Sequence, residues 1–202
     1  MKIGVLVSGG GTNLQAIIDA CETKEIPGQV VAVISNKKNA YALERAKNHK
    51  IFQTVENDEE EIIALLKEKK VDVVVLAGYL KILSVEMVEA FQNKIINIHP
   101  SLIPSFSGAG YYGIKVHESV IARGCKISGA TVHFVNEGAD EGPIISQEFV
   151  RIEDDDTPTT LQQKVLKVEH KILVEVLKNM ANKRLKIESG RVFLEKSSNK
   201  CD

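Results

Sequence analysis

The polar residues of greatest chemical interest lie at the end of a short apolar run. Asn97 and His99, in the segment N-I-H-P-S-L-I-P (97–104), are separated by one residue. The period of two in a β-strand therefore places both side chains on one side of the chain. Pro100 favours an extended backbone at His99 and ends the strand. An amide donor and an imidazole thus project from a strand end, the edge at which open α/β sheets bind ligands.

This pair of side chains suits acyl transfer. An amide N–H stabilises the oxyanion that forms when an amine attacks a carbonyl, and an imidazole donates or passes protons. Serine and cysteine are absent from any nucleophile-elbow pattern, which favours direct transfer over a covalent intermediate. The competing interpretation is that Asn97 caps a loop and His99 packs near the surface. A metal site is disfavoured because no second His or Cys follows at a ligand spacing.

A glycine-rich turn, Gly9-Gly10-Gly11-Thr12-Asn13, lies between the first predicted strand and the first predicted helix. Glycines let a ligand approach the backbone, and a helix N-terminus offers unpaired N–H groups, so the turn favours phosphate binding. It is not a dinucleotide fingerprint, because Leu14 takes the last glycine position and Ser35-Asn36 replace the expected acid. It is not a Walker loop, because no lysine precedes Thr12. The competing interpretation is a tight turn that only caps the helix.

Three acids occupy the polar loop 136–143: Glu137, Asp140 and Glu141. A carboxylate that reached His99 would favour the imidazolium and orient its ring. For Glu137 and Glu141 we favour a solvated turn position, but the residues alone do not choose which acid contacts His99.

The elements that position these residues alternate between strand and helix. This order predicts an α/β fold with a doubly wound, Rossmann-like mixed sheet, parallel in its N-terminal half, and helices on both faces. The predicted strands are Ile3–Val7, Val30–Ile34, Ile51–Val55, Val71–Ala77, Ile95–Ile98, Ser128–Val135, Pro143–Val150 and 191–195. The predicted helices are Asn13–Cys21, Ala40–Ala46, Asp58–Lys69, Val85–Phe91, Lys115–Arg123 and a long helix from Thr157-Pro158 to about Ala181.

Composition narrows the class of protein. The chain has 202 residues, an apolar fraction of 44% and a net charge of −1, which does not favour a nucleic-acid or membrane partner. No apolar run approaches the roughly 18–20 residues of a membrane span, and a signal peptide is not recognisable, so we expect a cytoplasmic protein. The three cysteines are far apart, which disfavours disulfides and a cysteine zinc site.

The segments V-S-G-G-G-T-N-L-Q (7–15), N-I-H-P-S-L-I-P and D-E-G-P (140–143) together resemble the phosphoribosylglycinamide formyltransferases, a family of folate-dependent enzymes. The resemblance covers Met1 to about Arg184. Asn-x-His-Pro-Ser-Leu is shared by other users of 10-formyltetrahydrofolate and specifies the chemistry, whereas the N-terminal segment narrows the substrate. The resemblance implies formyl transfer from 10-formyltetrahydrofolate, as co-substrate, to the amino group of glycinamide ribonucleotide.

The resemblance also implies residue roles. Asn97 would stabilise the oxyanion, His99 would be the general acid, and Asp140 would raise the basicity of His99 and relay protons. The implied substrate-binding residues are Gly11, Thr12 and Asn13 for the phosphate and Glu169 for the ribose or amine end. The implied folate-binding residues are Leu80, Lys81, Ile82, Leu83, Asn97, Asn136, Glu137, Gly138, Ala139 and Asp140.

Periodicity supports Glu169 independently, because it falls on an apolar stripe of the long helix with Val165 and Ile172, where a carboxylate needs a partner. The alternatives are that Glu169 lies at the edge of the stripe in water and that Leu80–Leu83 is simply core. Relatives often carry an Arg near Asn57–Glu61 for the folate tail, and this chain is acidic there, so we expect either that Lys81 takes this role or that the tail is bound more weakly. We further hypothesise that the Ile103–Pro104 bond is cis and that loop 105–113 closes over the substrate.

Two alternative enzymes also use 10-formyltetrahydrofolate: a formyltetrahydrofolate hydrolase and a methionyl-tRNA formyltransferase. Both would be expected to carry an additional domain, so the length of the chain disfavours them. A third alternative is a non-catalytic nucleotide-binding module, which would not require Asn97, His99 and Asp140 together. We expect one formyltransferase domain over 1–195, with a phosphate-binding half (1–95), a catalytic and folate half (96–195) and a disordered tail (196–202). Expected partners are small-molecule substrates without a metal, nucleic acid or membrane, in a monomer or homodimer.

Overall fold

A computed structural model describes residues 1–195, and the tail predicted over 196–202, with Cys201, lies outside the described residues. The helices are α1 (Thr12–Glu22), α2 (Tyr41–Asn48), α3 (Glu59–Glu68), α4 (Val85–Ala90), α5 (Ile114–Arg123) and α6 (Pro158–Ala181). The strands are β1 (Lys2–Val7), β2 (Gln29–Ser35), β3 (Gln53–Val55), β4 (Val73–Leu76), β5 (Ile95–His99), β6 (Ile127–Phe134), β7 (Ile144–Arg151), β8 (Leu185–Glu188) and β9 (Arg191–Leu194). The predicted elements are confirmed, with ends that differ by one or two residues.

Seven strands form one sheet in the order β3-β2-β1-β4-β5-β6-β7. The pairs from β3 to β5 are parallel, whereas β5–β6 and β6–β7 are antiparallel. The predicted mixed sheet with a parallel N-terminal half is therefore confirmed. The order also brings the ends of β1, β4 and β5 to one edge of the sheet, because neighbouring parallel strands share their carboxyl ends.

Two apolar clusters cover the two faces of the sheet, as predicted for helices on both sides. The larger cluster contains side chains of α1, α2, α5 and α6, and the smaller one contains side chains of α3 and α4. In β5, Ile96 and Ile98 belong to the larger cluster and Ile95 to the smaller one. Because side chains alternate along a strand, Asn97 and His99 lie on the face of the smaller cluster.

Helix α6 carries the predicted apolar stripe across the sheet. It begins with a capping box, in which the Thr157 hydroxyl accepts from the Thr160 N–H and the Thr160 hydroxyl accepts from the Thr157 N–H. Pro158 fits the first helical turn because its missing N–H has no helical partner there. Val165, Ile172 and Glu169 are buried, so the edge-of-stripe alternative for Glu169 is wrong.

Strand β8 was not predicted. It pairs with β9 in an antiparallel hairpin, in which Glu188 lies opposite Arg191. The connecting residues Ser189 and Gly190 both have positive φ, of 48° and 74°, as a tight two-residue hairpin turn requires. With only four residues, L-K-I-E is too short to establish an alternating pattern beside the end of a long helix.

Two further predictions concern the Ile103–Pro104 peptide bond and membrane-spanning helices. The Ile103–Pro104 peptide bond is cis, which confirms that hypothesis. Within residues 1–195, none of the helices has the length and apolar character needed to cross a bilayer.

Candidate active site

The side chains of Asn97 and His99 meet a third polar residue of the sheet, His133. In the antiparallel β5–β6 pair, Asn97 lies directly opposite His133 and His99 lies opposite Thr131. Directly opposite residues share a face of the sheet, so the three side chains lie together. His99 and His133 are almost fully buried, with exposed fractions of 4% and 2%. The carboxyl edge of the sheet thus holds a polar cluster of two buried imidazoles and a half-buried amide.

The Asn97 amide has a fixed orientation. Its Nδ2 lies 3.2 Å from His133 Nε2 and 3.2 Å from Asp140 Oδ1. His133 Nδ1 lies 2.8 Å from the Phe134 carbonyl, which can only accept, so Nδ1 carries the proton. Asn97 Nδ2 donates to Asp140 Oδ1, and it also lies beside His133 Nε2, which is 3.5 Å from the same carboxylate oxygen.

Asp140 is the acid that reaches His99. Its Oδ2 lies 3.4 Å from His99 Nδ1 and accepts the Gly108 N–H at 2.9 Å, whereas Glu137 and Glu141 are exposed. Loop 136–142 returns over the sheet, and Asp140 adopts a positive φ of 60°, a conformation that Asp tolerates. Burial raises the pKa of Asp140, but the hydrogen bond with His133, the charge of His99 and the Gly108 N–H together lower it to about 2.

The environment of His99 opposes its protonation more strongly than the sequence predicts. Its Nε2 lies 2.9 Å from the Phe106 carbonyl, so Nε2 carries a proton and Nδ1 faces the Asp140 carboxylate. Burial lowers the pKa of His99 below its usual 6.5, and Asp140 and the Phe106 carbonyl only partly offset this effect. The contribution of Asp140 to the pKa of His99 has the predicted sign, but it is smaller than the contribution of burial.

The glycine-rich turn provides a row of backbone donors. Gly11 has a φ of 71° and forms the N-cap of α1 without a side-chain cap. The N–H groups of Gly10, Gly11, Thr12 and Asn13 have no hydrogen-bond acceptor within residues 1–195. Such a row of N–H groups at a helix N-terminus is suited to an anion.

A cleft of about 360 Å³ connects this turn to α6 on the face of the larger apolar cluster. Its floor includes Ile98 and Pro100, which flank His99 in the sequence. The lining residues are Gly9, Gly10, Gly11, Thr12, Asn13, Ala77, Gly78, Ile98, Pro100, Gly113, His117, Gln162, Gln163, Leu166 and Glu169. A more open depression of about 560 Å³ lies at the amino ends of the strands, where it is lined by Lys2, Lys70 and Asp72 rather than by a predicted site residue.

Glu169 connects α6 to the glycine-rich turn. It is 8% exposed, lines the cleft, and accepts a hydrogen bond from Asn13 Nδ2 at 2.7 Å. Burial raises the pKa of Glu169, and the hydrogen bond from Asn13 lowers it by less. A buried carboxylate with one protein donor is suited to a ligand that brings further donors.

We expect Glu169→Gln to increase the free energy of unfolding above pH 5. Because the folded-state pKa of Glu169 is raised, the unfolded chain ionises first as pH rises, so ionisation destabilises the fold at neutral pH but not below the unfolded pKa. Compared with wild type, the Tm of the variant should be higher at pH 7.5 but not at pH 4. The expected rise is about 2–4 °C for each kcal/mol added to the free energy of unfolding.

The exposed Glu175 of the same helix provides the matched control, and Glu175→Gln should leave Tm nearly unchanged. Equal effects of Glu169→Gln at both pH values would contradict the role of ionisation.

The segment Leu80–Leu83 is not core. Leu80 is 49% exposed and Ile82 is 72% exposed, although both are apolar. The Ser8 hydroxyl accepts the Leu80 N–H at 2.9 Å, and the Lys81 ammonium donates to the Asn57 carbonyl at 3.0 Å. Such an apolar loop, held in place but facing solvent, is a feature of ligand-binding surfaces.

The loop 136–140 lies on the same side of the sheet as Leu80–Leu83. Leu83 and Val135 both pack against the smaller apolar cluster, and the two loops leave the sheet on either side of β5. Asn136 and Glu137 are exposed, and the Asn136 side chain accepts the Gly138 N–H at 3.2 Å. The Asn97 and His99 side chains lie on this face, whereas the cleft opens on the other.

His133 is the site residue that sequence reasoning missed. Its position in the alternating strand placed it on the side opposite the apolar residues, which is a weak signal for a buried polar group. The decisive information is its register with Asn97, which the residues of β6 alone do not supply. As for metals, the described residues contain no group of three His, Cys, Asp or Glu positioned to hold an ion.

Acyl transfer to a phosphorylated acceptor is the class of chemistry that this arrangement defines. The sequence matches the formyl transferase family over residues 1–177, and the chain belongs to that family. Within it, the chain groups with the phosphoribosylglycinamide formyltransferases at about 40% identity over nearly its whole length.

Three relatives illustrate the similarity. The phosphoribosylglycinamide formyltransferase of Haemophilus influenzae is 40% identical, over 96% of this chain and 93% of its own length. The chloroplastic enzyme of that name from Arabidopsis thaliana is 41% identical, over 98% of this chain and 72% of its own length. The crystal structure of glycinamide ribonucleotide transformylase 1 from Symbiobacterium toebii has a TM-score of 0.91 at 40% identity, covering 97% of this chain and 94% of that one.

Proposed function

We propose that this protein transfers the formyl group of 10-formyltetrahydrofolate to the amino group of glycinamide ribonucleotide. The products are formylglycinamide ribonucleotide and tetrahydrofolate, a step of purine biosynthesis. The observation that carries the proposal is the Asn97–His99–Asp140 cluster, which lies at the same edge of the sheet as the glycine-rich turn. A non-catalytic nucleotide-binding module would need the turn but not the cluster.

The acceptor binds in the cleft beside α6. Its phosphate accepts hydrogen bonds from the N–H groups of Gly11, Thr12 and Asn13, which have no other acceptor within residues 1–195. Glu169, buried in the wall of the same cleft, accepts from the ribose hydroxyls or from the amine end. Both ends of the acceptor are thereby held while its amine faces the end of β5.

The folate donor binds on the opposite face. The exposed apolar side chains of Leu80 and Ile82, with Leu83 between the loop and the core, offer a surface for the pteridine ring. The backbone of Asn136–Asp140 supplies fixed polar partners for the ring edge on the other side of β5. Lys81 is exposed beside Asn57 and is suited to a carboxylate of the glutamate tail.

The chemistry takes place where the two binding regions meet. The amine attacks the formyl carbon, and the oxygen gains a negative charge that Asn97 Nδ2 stabilises. Asn97 exchanges its bond with Asp140 for one with the oxyanion, while Nδ2 stays beside His133 Nε2. Asp140 is then free to pair more closely with His99.

Proton transfer uses the neutral form of His99, which burial favours. The attacking nitrogen carries a surplus proton, which His99 accepts, and the adjacent Asp140 carboxylate stabilises the resulting imidazolium. His99 then donates this proton to N10 of the folate as the carbon–N10 bond breaks. The ring is thus the general acid of the second step only after it has been protonated in the first.

The organisation and setting of the protein are also proposed. Residues 1–195 form one domain, with a phosphate-binding half over 1–95 and a catalytic and folate half over 96–195. One continuous sheet supports this proposal, since β4 of the first half pairs with β5. We propose a cytoplasmic location and a monomer or homodimer that acts on small molecules and does not bind nucleic acid.

The test of the function measures tetrahydrofolate production by absorbance with glycinamide ribonucleotide and 10-formyltetrahydrofolate present. We expect turnover that requires both compounds. Tetrahydrofolate release at the same rate without the acceptor would instead identify a hydrolase. A folded protein that binds both compounds but has no turnover would exclude the enzymatic function.

A further inference from the structure

Arg45 of α2 contacts the glycine-rich turn but is not among the residues that line the cleft. Its Nε donates to the Gly10 carbonyl at 2.8 Å, and its Nη1 donates to the Gln15 side chain at 3.1 Å. Its guanidinium also lies 5.0 Å from the centre of the Tyr41 ring. A forked donor with two separate acceptors has a defined orientation, because each bond restricts the rotation that the other allows.

A second contact from α2 holds the preceding carbonyl. The Ala42 N–H donates to the Gly9 carbonyl at 3.1 Å, so two consecutive carbonyls of the turn are bound by one helix. In a trans peptide the C=O and the following N–H point in opposite directions. The N–H groups of Gly10 and Gly11 consequently point away from α2, towards the cleft that these glycines line.

The packing of α2 against the turn is close enough to exclude a side chain. A Cβ atom at Gly11 would lie 2.6 Å from the Ala42 Cβ. This contact fixes the distance between α2 and the turn, and it places the Arg45 charge beside the row of unpaired N–H groups. A positive charge there favours the binding of an anion, because Arg45 is partly buried and salt screens its charge only in part.

We propose that Arg45 is a positioning residue for the phosphate of the acceptor. It orients the Gly10–Gly11 peptide through the Gly10 carbonyl and adds positive charge behind the turn. The inference rests on the proposed function, since it assigns the phosphate of glycinamide ribonucleotide to this turn. It predicts that Arg45 affects the phosphate of a ligand and not the formyl transfer itself.

The test compares wild-type protein with Arg45→Gln. We expect KM for glycinamide ribonucleotide to rise roughly tenfold or more, the usual effect of losing a charge-assisted hydrogen bond, with little change in kcat. KM for 10-formyltetrahydrofolate should stay the same. With the glycinamide riboside, which has no phosphate, the two proteins should have equal kcat/KM.

Two further variants separate charge, geometry and folding. Arg45→Lys keeps the charge but cannot bind Gly10 and Gln15 together, so its KM for the nucleotide should lie between those of wild type and Arg45→Gln. Lys47→Gln removes an exposed charge from the same helix and should leave KM unchanged. Thermal melting of each variant measures whether the fold is retained.

Titration with ribose 5-phosphate makes the test independent of turnover. Arg45→Gln should weaken its binding by about the same factor as it raises KM, even if the formyl transfer proposal fails. Equal ribose 5-phosphate affinity in wild type and Arg45→Gln would overturn the inference. So would an equal loss of kcat/KM with the nucleotide and with the riboside, because that result indicates a purely structural role.

Discussion

Replacing His99 by alanine should lower kcat by about 10²- to 10⁴-fold, the range in which a general acid–base residue contributes. The expectation follows from the two contacts of the ring, with the Phe106 carbonyl at Nε2 and Asp140 at Nδ1. Without the ring, the proton of the attacking amine has no buried acceptor beside the leaving N10. Substrate binding should change less, because the cleft is lined by other residues.

The pH dependence provides a sharper check than the loss of rate. Protonation of the resting His99 removes the proton acceptor, so kcat/KM should fall on the acid side, with an inflection below pH 6.5 because burial lowers the pKa of His99. Asp140→Asn should move this inflection to lower pH, since the Asp140 charge opposes the effect of burial.

His49 provides a matched control because it lies outside this cluster. Its Nδ1 is 2.7 Å from Glu22 Oε1. His49→Ala should retain the wild-type pH profile. A His99→Ala protein with near-wild-type kcat would remove His99 from the proposed proton transfer.

Replacing Asn97 by aspartate should lower kcat by roughly 10³-fold or more. Removal of one oxyanion donor costs about 10²- to 10³-fold in comparable sites. Aspartate has the same shape, but it replaces the donor by an acceptor. It also places a second carboxylate at the position of Nδ2, 3.2 Å from Asp140 Oδ1. The added negative charge opposes the oxyanion directly.

Asn97→Ala separates the two effects, because it removes the donor without adding charge. We expect the order wild type, Asn97→Ala, Asn97→Asp in decreasing single-turnover rate. KM for glycinamide ribonucleotide should stay within a few-fold, since Asn97 lies on the face opposite the cleft. If Asn97→Asp were as fast as Asn97→Ala, the proposed charge on the oxygen would be wrong.

Local sequence patterns predicted the features that depend on neighbouring residues. The shared orientation of Asn97 and His99 follows from strand periodicity, and the burial of Glu169 follows from the stripe of α6. The parallel half of the sheet follows from the alternation of strands and helices, because the crossover connection restricts the topology.

The features that were missed depend on residues far apart in the chain. The contact of His133 with Asn97 needs the register of two antiparallel strands, which only the packed sheet determines. The exposure of Leu80 and Ile82 could not be distinguished from burial, because a short apolar run has no periodicity that separates the two. The dominance of burial over the Asp140 charge in the pKa of His99 also needs the three-dimensional surroundings.

The proposed placement of the two binding regions on opposite faces of one sheet has an evolutionary consequence. The cleft with Glu169 is shaped by α6 and the glycine-rich turn, whereas the donor surface is shaped by Leu80–Leu83 and loop 136–140. Substitutions in one set are separated from the other by the strands, so their effects on binding free energy should be nearly additive. Selection could therefore change the acceptor that is bound while the binding of the one-carbon donor is retained.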